Sequence, residues 1–133
     1  MKYHAKVQEI IDKVISGDLE PKYYKIQIDD EHFTCISFYP NKQIWYIHNY
    51  KNEELHGKCA GWFSNGNREH IENWKKGKLY GKSEWWCTNG NKQYIENWKN
   101  GKLHGKCRGW YEDGTKKDEC IYKNGEIIEE EKL

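Results

Sequence analysis

The sequence predicts a mainly β protein: an elongated, single-layer antiparallel β-meander of hairpin repeats with one N-terminal α-helix. Three observations predict it. X-Gly dipeptides punctuate the second half, at Asn65-Gly66, Lys76-Gly77, Asn89-Gly90, Asn100-Gly101, Asp113-Gly114 and Asn124-Gly125, with steps alternating 11, 13, 11, 13, 11. Asn-Gly and Asp-Gly favour two-residue type I′ hairpin loops, whose central residues both need positive φ. Large side chains recur every 24 residues: Trp62, Trp86 and Trp110 in one column; Trp74, Trp98 and Tyr122 in a second; Leu55, Leu79, Leu103 and Ile127 in a third. Composition is the third observation. Only 36% of residues are hydrophobic and 32% are charged, yet ten Tyr and seven Trp are present. A single layer exposes both faces, and aromatics with a polar tip suit that better than aliphatics.

Along the chain, Val7, Ile10, Ile11, Val14 and Ile15 follow helical spacing. They predict a helix over 3–16, ended by Gly17 with Pro21 beyond it. So short a helix is marginal alone and should dock on the first strands. Tyr24, Ile26 and Ile28 alternate with polar residues as a strand does, and Asp29-Asp30 reads as a turn. A degraded first repeat begins near residue 31, with Phe38 in the Trp62 column, Tyr50 in the Trp74 column, and glycine-free turns at Asn41-Lys42 and Asn52-Glu53. The expected organisation is a cap over 1–30, about four 24-residue repeats over 31–128, and a tail over 129–133.

Hairpin register turns columns into contacts. Trp98 should lie between Gly81 and Leu103, Trp74 between Gly57 and Leu79, and Tyr122 between Gly105 and Ile127. Each ring is expected to lie flat over the backbone of its glycine. Side chains alternate in a strand, so the two aromatic columns face opposite ways. Trp74, Trp98 and Tyr122 share the more apolar face with the leucines and cysteines, which should supply most of the stable packing. Trp62, Trp86 and Trp110 share the other with Ile71, Ile95, Lys58, Lys82 and Lys106. Aromatics dominate interface hot spots, so that second face is the expected partner-binding surface.

Catalytic and metal chemistry find no foothold. The five cysteines and six histidines contain no Cys-x-x-Cys and no His-x-x-x-His spacing, so no metal and no cofactor is expected. Cys107 and Cys120 should face each other across a hairpin, within disulfide reach; the odd cysteine count and the lack of an export signal favour thiols. His56 and His104 share a column with Tyr80, which suits a sheet edge better than a general base. Glu72 and Glu96 occupy identical contexts, with nothing to single out either for a shifted pKa. No phosphate loop or nucleophile elbow occurs, so no enzymatic activity is expected. Twenty-two basic against 21 acidic residues, net +1, argue against a dedicated nucleic-acid binder, although the lysine columns leave a nucleic-acid or anionic-lipid contact open. No apolar run is long enough to span a membrane. A cytoplasmic location follows, in a bacterial cell or an infected host.

The phrase Ile-Glu-Asn-Trp-Lys-x-Gly-Lys-Leu-x-Gly-Lys, at 71–82 and again at 95–106, followed by an aromatic pair and Asn-Gly, resembles the MORN-type repeat. The variant is similar to that of bacterial antitoxin or immunity proteins and of large DNA virus proteins. The resemblance implies a twisted single-layer sheet and a role in partner binding, scaffolding or lipid association. Two versions compete: a protein that binds and inhibits one macromolecular partner, of the immunity, antitoxin or phage/viral inhibitor type, and a structural scaffold or assembly protein. A homodimer through a sheet face or edge fits either. Cysteine (Cys59, Cys107) or serine (Ser83) opens the segment where the common repeat has tyrosine, so no ligand-contacting residue carries over.

Overall fold

The computed structural model describes residues 2–132. Helix α1 spans Ala5–Ser16, with the His4 side chain accepting from the Lys6 N–H at its start and Gly17, at φ 88°, ending it. Thirteen strands follow: β1 (Tyr24–Gln27), β2 (His32–Phe38), β3 (Ile44–Lys51), β4 (Glu54–Leu55), β5 (Gly57–Trp62), β6 (Arg68–Lys75), β7 (Lys78–Leu79), β8 (Gly81–Trp86), β9 (Lys92–Lys99), β10 (Lys102–Leu103), β11 (Gly105–Trp110), β12 (Lys116–Lys123) and β13 (Glu126–Lys132). They form one antiparallel sheet whose strand order follows the chain. The meander is confirmed, with more than half of the residues in strand. The final strand reaches farther than the repeat count suggests. Residues 129–132, expected as a tail, pair with Ile121, Cys120, Glu119 and Asp118, because a backbone ladder needs no apolar side chain to continue.

The turns are of two kinds, where the spacing predicted one. Lys76-Gly77, Asn100-Gly101 and Asn124-Gly125 have both residues at positive φ, as type I′ loops require. At Asn65-Gly66, Asn89-Gly90 and Asp113-Gly114 only the glycine is left-handed. There the glycine N–H bonds the carbonyl three residues back, as Gly90 does to Cys87 at 3.0 Å, while the Cys87 N–H bonds Asn91 O at 2.8 Å. This is a three-residue loop ending in a left-handed glycine. It shifts the pairing by one residue, and a bulge between Trp85 and Trp86 shifts it back. Beyond the bulge the register is the one a two-residue turn predicts: Gly81 faces Trp98, and Trp98 faces Leu103 on its other side.

Each ascending strand breaks after its leucine, at Gly57, Gly81 and Gly105, all at positive φ. The expected reason for these glycines was a ring lying over them. The structure gives another: a Cβ at Gly57 or Gly81 would meet nothing within 4 Å, so the backbone kink demands glycine and the ring does not. The kink frees the carbonyl of the next residue. Asn49, Asn73 and Asn97 each donate a side-chain N–H to it, at Lys58 O (2.6 Å), Lys82 O (2.8 Å) and Lys106 O (2.5 Å). The Asn of the recurring Ile-Glu-Asn-Trp phrase therefore holds the kink.

Both margins of the sheet are laced from repeat to repeat. On one, the glycine N–H of each type I′ turn bonds the leucine carbonyl of the turn before: Gly77 to Leu55 (3.0 Å), Gly101 to Leu79 (3.1 Å) and Gly125 to Leu103 (2.8 Å). On the other, side-chain amides reach the next loop: Asn41 to Ser64 O (2.8 Å), Asn65 to Thr88 O (3.1 Å) and Asn89 to Glu112 O (3.0 Å).

The fully buried apolar cluster is Val7, Ile11, Val14, Ile36, Phe38 and Ile47, with Tyr24, Ile26 and Trp62 packed against it. The helix therefore docks on the first strands as expected, although Ile15, counted in its apolar stripe, is 62% exposed. The docking face is the surprise. Ile47 pairs with Ala60 and Ala60 with Ile71, which places the helix on the Trp62 face. The deepest packing was expected on the Trp74 face and lies on the opposite one.

Candidate functional site

Helix docking makes the two faces unequal. On the helix face, Trp62 belongs to the packing beneath α1, with the Arg68 guanidinium 5.4 Å from its ring centre. Trp86 and Trp110 lie on the same face beyond the helix, half-buried, so the three-tryptophan stripe is interrupted at its first member. Lys58, Lys82 and Lys106 are exposed there, but two of them are engaged. Glu84 takes Lys82 (3.4 Å) and Lys92 (2.9 Å), and Glu119 takes Lys106 (3.2 Å) and Arg108 (3.5 Å). Although burial opposes it, pairing with Lys92 and Lys82 keeps the Glu84 carboxyl below its ordinary range. A hydrogen bond from Lys106 does the same for Glu119. Lysine that looked like a stripe in sequence is largely matched by carboxylate.

Among the described residues the other face carries no helix. Cross-strand register assembles a row on it: Tyr46, Gly61, His70, Trp85, Tyr94, Gly109 and Asp118, each paired with the next. The His70 and Trp85 rings stack at 4.5 Å and 23°, and Trp85 and Tyr94 at 5.7 Å and 19°. Nearer the N-terminus, Tyr46 stacks on His48 at 4.5 Å and Phe33 on Tyr50 at 4.6 Å. Here a ring does lie over glycine, but at Gly61: a Cβ there would sit 2.5 Å from His70 Cε1. Trp74, Trp98 and Tyr122 lie on this face too, opposite Gly57, Gly81 and Gly105.

Beside the aromatic row runs a second one in which Cys59 faces Glu72, Ser83 faces Glu96 and Cys107 faces Cys120. Burial raises the Glu72 carboxyl above its ordinary value against the pull of His70, and burial with the nearby Glu72 charge raises Glu96. The two glutamates expected to be ordinary are therefore both perturbed. Burial pushes the Cys59 thiol up to about 11, which leaves it a poor nucleophile at neutral pH. Cys107 and Cys120 face each other as the register predicts, and no disulfide joins them.

Sequence columns missed the row because its members do not recur. Trp85 stands where the neighbouring repeats have Gly61 and Gly109, and His70 where the next repeats have Tyr94 and Asp118. Register arithmetic carried across several strands, rather than one hairpin at a time, is the signal that finds it.

Among the described residues no group of three or more His, Cys, Asp or Glu side chains is placed to hold a metal ion. No described helix is long and apolar enough to cross a membrane. No curated protein matches the sequence. Among solved structures, a variant of S. aureus TarM in complex with fondaparinux, alpha-GlcNAc-glycerol and UDP is 13% identical, at TM-score 0.43, over 93% of this chain and 24% of that one. Accessory secretory proteins 1, 2 and 3 of Streptococcus pneumoniae give 14% identity and TM-score 0.38 over 86% of this chain and 23% of that one. The chain spans about a quarter of the structures it matches, and at these scores neither likeness carries an argument. The family of the MORN repeat variant matches residues 32–52 and 103–131. Such repeats are associated in general with protein or membrane-lipid interaction and not with catalysis. Matching units at both ends of the meander, with the 24-residue phrase repeated between them, support a MORN-type repeat protein.

Proposed function

We propose that this protein is a non-enzymatic interaction module that binds one macromolecular protein partner on the helix-free face, and acts on that partner by occupying it, in the manner of an immunity, antitoxin or phage/viral inhibitor protein. The observation that carries this reading is the His70–Trp85–Tyr94 stack on a face without a helix. Pre-stacked rings lose little freedom on binding, and Trp and Tyr are enriched among the few residues that dominate protein interfaces.

Self-assembly into a scaffold is the weaker reading, because both open edges of the sheet are blunted. Strand β13 presents Glu126, Glu129, Glu130 and Glu131, and a second copy paired there would set like charges against each other. Where β1 ends, the Lys6 ammonium donates to Ile28 O at 2.9 Å and to Gln27 O at 3.4 Å, which covers the last carbonyls of that edge. The polyanion reading loses support from the carboxylates that neutralise Lys82 and Lys106.

Trp85 and Trp86 are adjacent in β8 and face opposite ways, which makes them a matched pair of probes. The full chain, Trp85→Ala and Trp86→Ala serve as bait in affinity capture from the native cell extract, with circular dichroism to check the fold. Trp85→Ala is expected to lose the captured partner and Trp86→Ala to keep it. The reverse outcome returns the binding role to Trp86 and Trp110.

A further inference from the structure

Carboxylates are treated differently on the two faces. On the helix face, Glu84 and Glu119 each hold two cations. On the helix-free face, Glu96 and Asp118 make no ion pair among the described residues, although the chain has 22 basic residues. These two carboxylates line a shallow depression of about 310 Å³ with Gly109, Tyr94, Tyr122 and Cys107; Arg108 also lines it, its guanidinium paired with Glu119 at 3.5 Å. Gly109 lets the Asp118 carboxylate lie close over its backbone at the rim of the depression, where a Cβ would come within 2.6 Å of Asp118 Oδ1. The depression adjoins the aromatic stack, since Tyr94 belongs to both. Directly across from Glu96 stands Ser83, 1% exposed, whose Oγ has no hydrogen-bond partner among the described residues.

We infer that the depression between Glu96 and Asp118 receives an arginine side chain of the protein partner. This inference rests on the helix-free face being the binding face. Guanidinium suits the place in three ways. Its plane stacks on a phenol ring such as Tyr94. Its fork of N–H groups serves two carboxylates at once, where an ammonium offers a point charge. Its charge answers the repulsion between the Glu72 and Glu96 carboxylates, and burial has already raised both of these. The partner surface would then be basic, opposite in sign to the face it covers, and its approach would be steered by charge.

The test uses fluorescence anisotropy on the full chain, with a labelled Gly-Ser peptide carrying arginines and with the same peptide carrying lysines or glutamates instead. The arginine peptide is expected to bind more tightly than the lysine peptide, and the glutamate peptide not at all. Glu96→Gln combined with Asp118→Asn is expected to weaken the arginine peptide by roughly tenfold or more, while Lys82→Ala on the other face leaves it unchanged. Circular dichroism checks each variant, and the single substitutions serve where the double variant does not fold. Absence of arginine-peptide binding, equal binding of the lysine peptide, or full binding by the carboxylate variants overturns the inference. If Trp85→Ala loses the native partner and the carboxylate variants retain it in full, the binding face stands and the arginine site falls.

Discussion

Ile47 and Ile95 hold the same position in copies of one phrase two repeats apart, yet they live in different proteins in physical terms. Ile47 is 2% exposed beneath α1, beside Ile36 and Val14, which are fully covered. Ile95 lies past the end of the helix, half-buried in a single layer. One repeat further the position is Glu119, which an apolar core would not accept and an ion-paired surface does. The N-terminal end is a two-layer domain in miniature, and every fully buried apolar side chain among the described residues lies before residue 61. The C-terminal repeats depend on backbone ladders, stacked rings and laced loops. Equivalent repeat units thus carry unequal stability, set by whether a second layer covers them.

The largest expected effect breaks that comparison directly. Ile47→Ala should cost about 2–5 kcal/mol, the range for deleting a fully buried aliphatic side chain, and Ile95→Ala roughly half of that or less, since less apolar surface leaves contact. Urea denaturation measures both, and equal losses would mean that the helix does not create the gradient. A smaller effect tests the kink that both regions share. Gly81 sits at φ 66°, so Gly81→Ala should cost about 1–2 kcal/mol from left-handed backbone strain, and Gly81→Asn less, because Asn tolerates that region. Equal damage from both in thermal melts would restore a steric role for the Trp98 ring.

The smallest effect concerns charge in the open region. Burial raises the Glu72 and Glu96 carboxyls above their ordinary value of 4.5. A folded pKa above the unfolded one means that stability is full below the unfolded pKa and is lost as pH rises through the folded pKa. Both charges therefore weaken the fold at neutral pH. Glu96→Gln should raise the melting temperature at pH 7 and leave it nearly unchanged near pH 4. Glu72→Gln should gain less, because His70 favours the Glu72 charge. A lower melting temperature for Glu96→Gln at pH 7 would show that the carboxylate makes a stabilising contact outweighing its burial.

Much of the fold was legible because turn residues fix register arithmetically. The partners of Trp74, Trp98 and Tyr122 follow from where Asn-Gly falls. The sidedness was not legible. Alternation says that Trp85 and Trp86 point opposite ways, but not which way α1 folds back, and its stripe of Val7, Ile11 and Val14 could dock on either face. The cause of the kink glycines was not legible either, since a recurring glycine announces an unusual backbone and a covering ring equally well. Ion pairing was hidden for a related reason: the Lys82 column recurs, whereas its partners Glu84 and Glu119 do not occupy one column. What repeats is scaffold, and the residues proposed for recognition, Trp85 and Asp118 among them, are ones that differ between repeats.

The lacing along the loop margin has a hereditary consequence. The reaching residue is Asn at 41, 65 and 89, while the atom it grasps is always a main-chain oxygen, on Ser64, Thr88 or Glu112. A main-chain oxygen is present whatever residue mutation leaves behind. A gene copying one whole unit in tandem therefore delivers a working clasp at both new junctions with no further change, and each copy's loop tips are then free to diverge. An insertion of any other length puts both margins out of step at once. Growth by the unit is chemically silent, and growth by anything else is not.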